Sequence, residues 1–266
     1  MPRAVILLAS LASVLTGCFS NVAVREPKGE ALPISKGHFP HEALDGVLQK
    51  FVNDQGRVDY KALKADRNDL ERYLIALTKT SPHQEPDAFP TVNDKLAYWI
   101  NAYNAYVLYA VIERPEMHSV NDDAKTFFYF TQYRLGNENW SLYKLENNVV
   151  RKEFKEPRVH FALNCASGGC PELPNEAFTP DKLEDQLSQE ATKFCASDKK
   201  VRIKDPKTVE FSQIFEWYGD DFAESGGPIA FCKKWGRTDL PDGAQVTFIP
   251  YDWSLNAQPG KALFDP

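Results

Sequence analysis

Apolar residues recur at helical spacing in three stretches of the chain. His41 to Val52 places Leu44, Val47, Leu48 and Phe51 on one face, and Leu70 to Leu77 repeats the pattern with Tyr73 and Leu74, so two amphipathic helices open the domain. Thr91-Val92-Asn93-Asp94 then reads as a capping-box-like start. The stretch Lys95 to Ile112 that follows is apolar apart from Lys95, Asn101, Asn104 and four tyrosines. A helix that is apolar nearly all round belongs in the centre of a protein. The two interior amides and the tyrosines argue against a membrane span, and Arg114-Pro115 ends the helix.

The second half alternates. Phe127 to Leu145 carries aromatic and branched residues on both sides of Gly136-Asn137, with Tyr133 and Leu135 on one arm and Trp140 and Leu142 on the other, which predicts a hairpin. Arg158 to Asn164 alternates as a strand, with His160, Ala162 and Asn164 on one face and Phe161, Leu163 and Cys165 on the other, and runs into the loop Ala166-Ser167-Gly168-Gly169. Thr179-Pro180-Asp181 caps a helix reaching about Cys195. Short strands at 201–203 and 209–211, helices at 214–222 and 229–235, and a closing strand at 246–251 complete the pattern. No regular strand-helix-strand order emerges, so the fold class is α+β: a single domain with a buried central helix and a small mixed or antiparallel sheet.

Composition narrows the function classes. The 266 residues carry 31 basic against 37 acidic side chains with no polybasic block, so a nucleic-acid partner is not expected. Met1 to Gly17 has one basic residue, Arg3, then an apolar run to Leu15 and small residues before Cys18, the order of a secretory signal. Leu15-Thr16-Gly17-Cys18 resembles a bacterial lipobox, which implies cleavage before Cys18 and lipid on its thiol as the membrane anchor. Ser20 at the second position after Cys18 implies delivery to the outer membrane, facing the periplasm. Pro27, Pro33, Pro40, Gly29 and Gly37 follow with scattered charges. The chain thus divides into a signal over 1–17, a lipidated tether over 18–39 and a domain over 40–266. Four further cysteines, Cys165, Cys170, Cys195 and Cys232, enter an oxidising compartment, where they can pair in three ways.

Three constellations can carry chemistry. In Arg158 to Pro171 a chain segment ending in a glycine-bearing loop presents His160, Cys165, Ser167 and Cys170 together. A thiol beside an imidazole can be deprotonated by it, and loop N–H groups can hold an oxyanion. On that reading Cys170 or Cys165 attacks an amide or ester, His160 is the base, and an acidic residue orients the ring. The same two cysteines across a Gly-Gly loop also suit a disulfide or buried thiols, and the His-x4-Cys-x4-Cys spacing is not usual for zinc. No metal or cofactor is expected. The second constellation is Asn101 and Asn104, three apart on one face of the apolar helix, where buried amides need backbone or ligand partners. The third is Tyr251-Asp252-Trp253-Ser254-Leu255-Asn256, in which Asp252 either meets a cation such as His160 or Arg158 or simply makes a turn.

These blocks, with Tyr98 to Ala105, Gly56-Arg57-Val58-Asp59-Tyr60 and Trp217-Tyr218-Gly219-Asp220-Asp221-Phe222, resemble the family called domain of unknown function 547 over about residues 40–257. The resemblance brings no established activity, but it implies that the motifs form one linked set. Their order departs from papain-like and transglutaminase-like folds, in which the cysteine opens a central helix ahead of the histidine. Two functions remain in view, beside a third reading as a purely structural envelope protein. One is a hydrolase or acyl transferase using Cys170 or Cys165, His160 and Asp252. The other is an envelope module that binds a peptide or glycan through Arg158, Asn101, Asn104, Ser167, Trp253 and Asn256, with Cys165–Cys170 as a staple. Trp217 to Phe222 reads as core beneath the site rather than lining.

Overall fold

The computed structural model describes residues 20–264; the signal and Cys18 lie outside the described residues. In chain order the elements are β1 (Ser20–Asn21), α1 (His41–Phe51), α2 (Tyr60–Ala65), α3 (Asn68–Leu77), α4 (Val92–Ile112), β2 (Thr131–Leu135), β3 (Glu138–Trp140), α5 (Leu142–Lys144), α6 (Arg151–Phe154), α7 (Leu183–Ala196), β4 (Val201–Asp205), β5 (Thr208–Ser212), α8 (Ile214–Trp217), α9 (Gly219–Phe222), α10 (Gly227–Lys234) and β6 (Gln245–Ile249). This is a single α+β domain.

Helix α4 is the axis. The Thr91 hydroxyl accepts from Asp94 N–H while the Asp94 carboxylate accepts from Thr91 N–H, so the expected capping box is present. Every residue from Leu96 to Ile112 is buried, as a helix apolar on all sides requires. Helices α1 and α3 pack against it through Leu44, Leu48, Leu70, Leu74 and Leu77, each side chain contributing about 1.5–3 kcal/mol by leaving water. Among the described residues no helix is long and apolar enough to cross a membrane.

The strands form two three-stranded sheets, β1-β2-β3 and β4-β5-β6. The hairpin falls where the pattern placed it, pairing Tyr133 with Trp140 and Leu135 with Glu138 around Gly136, whose φ of +58° favours a residue without Cβ. In the second sheet β4 and β5 are antiparallel, while β6 returns parallel to β5 after the short helices α8–α10. Beneath this sheet Phe161, Phe194, Phe211, Phe215, Phe222 and Phe231 form a second apolar cluster. It also buries the Cys195 and Cys232 thiols, 2.7 Å apart.

Three elements differ from expectation. Residues 158–164 are not a strand: Pro157 opens a 3-10 turn, Pro157–Phe161, and Val159 through Asn164 are all buried. The alternation was not one of core against solvent, because the polar members His160 and Asn164 are buried as well. The helix expected over 214–222 is broken at Tyr218 into α8 and α9. The segment expected as a tether is fastened to the domain from Ser20 onward, with β1 paired to β2 and Val22, Val24, Leu32 and Ile34 packed on the core.

Candidate functional site

The loop from Cys165 to Cys170 is the centre of the molecule's polar architecture. Asn104 on α4 reaches it from below, donating to the Ala162 carbonyl at 2.9 Å and accepting from Asn164 N–H at 2.9 Å. One turn earlier Asn101 does the same for Phe178, accepting from its N–H at 3.0 Å and donating to its carbonyl at 2.7 Å. Its other amide hydrogen goes to His41 Nδ1 at 2.9 Å. The two amides are therefore engaged with the protein itself and hold loop backbone in the core.

The closing segment grips the same loop from the other side. Gly168 N–H donates to the Ser254 carbonyl and Gly169 N–H to that of Asp252, both at 2.7 Å, while Asn256 N–H donates to the Ala166 carbonyl at 3.0 Å. The approach is close enough that a Cβ on Gly168 would lie 2.2 Å from the Asp252 carboxylate, and one on Gly169 would lie 2.8 Å from the Tyr251 ring. Ala166 takes a φ of +65°, strained by roughly 1–2 kcal/mol for a residue with a Cβ, and is held there by Asn164 Oδ1, which accepts its N–H at 2.8 Å. The ammonium of Lys200 caps the loop, donating to the carbonyls of Gly168, Gly169 and Cys170 at 3.1, 2.6 and 2.7 Å. Burial, then the nearby Arg57, lowers this ammonium to about 8.

Cys165 and Cys170 are joined as a disulfide. Tyr251 lies over it, its hydroxyl donating to Cys170 Sγ at 3.3 Å, with Ser167 Oγ 3.1 Å from Cys165 Sγ. His160 is not oriented by Asp252. Its Nε2 meets Asp221 Oδ2 at 2.6 Å, and Asp221 also accepts from Arg151 Nε and Nη2 at 2.6 and 3.0 Å. Burial works to raise the Asp221 carboxyl, but the bonds from His160 and Arg151 outweigh it and hold the group below the usual carboxylate range. The Tyr218 ring stacks on the imidazole, centroids 4.1 Å apart, and the Arg151 guanidinium lies 4.6 Å from the same ring.

The remaining expected site residues separate. Asp252 is exposed and makes the turn, accepting from Ser254 N–H and Oγ–H at 3.0 and 2.6 Å. These bonds, with Arg57 and Lys200 nearby, lower its carboxyl against a smaller effect of burial. Arg158 is no partner of the loop: it pairs with Glu156 and Glu184 beside Trp235. Asn256 is buried, accepting from the Tyr60 hydroxyl at 2.6 Å. Trp253 is half-buried and stacks on Trp217, centroids 5.6 Å apart.

Two clefts meet at the disulfide, and both are lined by Cys170, Pro171 and Tyr251. One, of about 640 Å³, is polar and includes Arg57, Lys200 and Asp252. The other, of about 530 Å³, is a groove lined by rings, Tyr103, Tyr129, Tyr143, Trp217, Tyr218 and Trp253, together with Glu146, Asn147 and Arg151. Tyr129 and Tyr143 are stacked, centroids 4.6 Å apart, and they and Trp217 are 46, 44 and 44% exposed. The reading of Trp217 to Phe222 as core is corrected here: Phe222 is buried, but Trp217 and Tyr218 line the groove and Asp221 holds His160. The Trp-Tyr-Gly-Asp-Asp run carried that signal, since two carboxylates beside half-polar rings suit a core poorly. Among the described residues no group of three or more His, Cys, Asp or Glu is gathered to hold a metal ion.

No curated protein and no solved structure matches the chain. Residues 88–195, which hold the amides of α4, His160 and the disulfide loop but end before Asp221 and the closing segment, match the model of the family described as protein of unknown function, DUF547.

Proposed function

We propose that the protein is a lipid-anchored module of the cell envelope, held by an acyl-bearing Cys18 in the outer membrane and facing the periplasm, whose ring-lined groove binds a peptide or glycan without catalysing its cleavage. The observation that carries this reading is the state of the loop. The two sulfurs that a nucleophile would need are bonded to each other, so neither is free to attack. What the site offers to a ligand instead is half-exposed ring surface beside a carboxylate, an amide and a guanidinium. Rings of this kind stack on the C–H faces of sugars or on peptide side chains, and the polar groups at their edge fix orientation. Glu146, already accepting from the Tyr103 hydroxyl at 3.3 Å, has further acceptor capacity for a ligand hydroxyl or amide.

The test is a titration of the mature protein with peptidoglycan fragments, a disaccharide carrying a short peptide, followed by tryptophan fluorescence. Saturable quenching that weakens at least tenfold in Trp217→Ala supports the reading, and the sugar and peptide portions added separately identify which is bound. Rapid alkylation of Cys165 or Cys170 without reductant, together with hydrolysis of an ester or amide substrate, would instead establish the Cys/His hydrolase or acyl transferase.

A further inference from the structure

The first described residues are where the expected anchor meets the fold. Ser20 pairs with Thr131 and Asn21 with Gln132, parallel to β2, and Val22 N–H continues the ladder to the Gln132 carbonyl at 2.9 Å. Farther along, Asn68 accepts from Lys28 N–H at 2.7 Å and Arg72 donates to the Glu30 carbonyl at 3.0 Å. A free tether of this length would let the domain wander about 25 Å from its attachment. Here only two steps of chain separate Cys18 from Ser20, at most about 7 Å of reach.

The surface beside that attachment is aromatic. Thr131, the partner of Ser20, directly follows Phe128-Tyr129-Phe130, and Tyr129 and Phe130 are 46 and 37% exposed. Tyr143 stacks on Tyr129, and the short helical stretch Lys125–Phe130 that carries Tyr129 and Phe130 opens on the exposed Lys125, after the exposed Asp122 and Asp123. Tyrosine rings with their hydroxyls suit the headgroup level of a bilayer, where one end of the side chain is apolar and the other wet.

We propose that the domain lies against the outer membrane through the face formed by residues 125–131 and Tyr143, instead of standing off on a flexible leash. The occupant of this face is the bilayer that holds the Cys18 lipid, so the inference rests on the anchoring reading above. Because Tyr129 and Tyr143 also line the groove, the groove then opens at the membrane surface and meets its ligand there.

The experiment uses the full lipidated protein in vesicles of phosphatidylethanolamine and phosphatidylglycerol, a fraction of the former carrying a photoactivatable diazirine on its headgroup. Mass spectrometry first reads whether Cys18 is acylated, then maps the lipid adducts. The expected result is adducts on residues 125–131 and Tyr143 at least fivefold more frequent than on β4, which lies in the other sheet, with that excess reduced when a Gly-Ser spacer follows Phe19. An acylated Cys18 with adducts spread evenly, or confined to the first residues after Cys18, overturns the apposition while leaving the anchor intact. A Cys18 without acyl chains overturns the anchor itself, and the apposition with it.

Discussion

The α4 side of the disulfide loop and its groove side are made of the same materials, large rings interrupted by amides and a few charges, yet they use them in opposite ways. On the α4 side Asn101 and Asn104 sit among fully buried rings, and each amide returns its donor and acceptor to the backbone of a chain segment far away in sequence. On the groove side Trp217, Tyr129 and Tyr143 keep nearly half of their surface in solvent. Polar groups answered within the protein fix a shape; ring faces left open beside polar groups are available to something else. The difference separates scaffold from site without any appeal to residue type.

The sharpest way to break this comparison is Asn104→Ala. It strands the N–H of Asn164 and the carbonyl of Ala162 in a core that excludes water, and unsatisfied buried groups cost about 1–3 kcal/mol each. We expect a loss of about 3 kcal/mol in urea unfolding of the mature domain, with no gain from Asn104→Leu despite its better volume match. A loss below about 1 kcal/mol would mean that the loop finds other partners and that the amide is no weld.

Acidification comes next in size. Burial first, then His38, against a smaller opposing effect of Asp94, lowers His41 from 6.5 to about 3. Its Nδ1 faces Asn101 Nδ2 and the Tyr73 hydroxyl, so the folded protein favours the neutral ring. Between pH 6.5 and 3 the unfolded chain binds the proton that the folded one refuses, so stability is complete above this window and falls as pH drops through it. At pH 5 the loss is about 2 kcal/mol. Asp221 and Glu156 are both held low by their hydrogen bonds despite burial. Their contributions disappear only below the ordinary carboxylate range, while Glu190, raised by burial despite Lys193, works against the His41 effect as the pH falls. Urea midpoints at pH 7 and 5 should differ clearly in the wild type and converge in His41→Gln, which is less stable at pH 7. An equal pH effect in both proteins would place the titration elsewhere.

The scaffold was more legible in the sequence than the site, for a physical reason. An amide inside an apolar helix declares that it is buried and needs partners, so the engagement of Asn101 and Asn104 could be anticipated even though Phe178 and Ala162 could not. Helix α4, its capping box and the Gly136 hairpin are local patterns, each decided within a few residues. The pairing of His160 with Asp221 spans 61 positions and depends on a break at Tyr218 that short-range periodicity does not signal. The misread strand at 158–164 failed on the same ground. Alternation reports a sheet face only when one side meets water, and there both sides are buried. Asp252 was legible as a turn former, but its placement away from His160 follows from the glycines of the loop, whose lack of side chains lets the closing segment approach.

The smallest expected stability effect is the one that sharpens the comparison most. Trp217 is large and touches Tyr251 and Trp253, with centroids 4.8 and 5.6 Å apart, but at 44% exposure its truncation leaves no polar group stranded in the core, unlike that of the buried Asn104. Ring pairs of this kind contribute about 0.5–1.5 kcal/mol. Trp217→Ala should therefore lower the unfolding free energy by about 1 kcal/mol, well under the Asn104→Ala value, and leave the pH dependence set by His41 unchanged. If unfolding shows that Trp217→Ala costs as much as Asn104→Ala, the ring is a structural member and the groove is packing that happens to face solvent. If the cost is small while fragment binding is lost, stability and binding are carried by different faces of one loop. The disulfide then stands as the rigid boundary between them, since it belongs to the buried side through Cys170 and to the groove through both of its sulfurs.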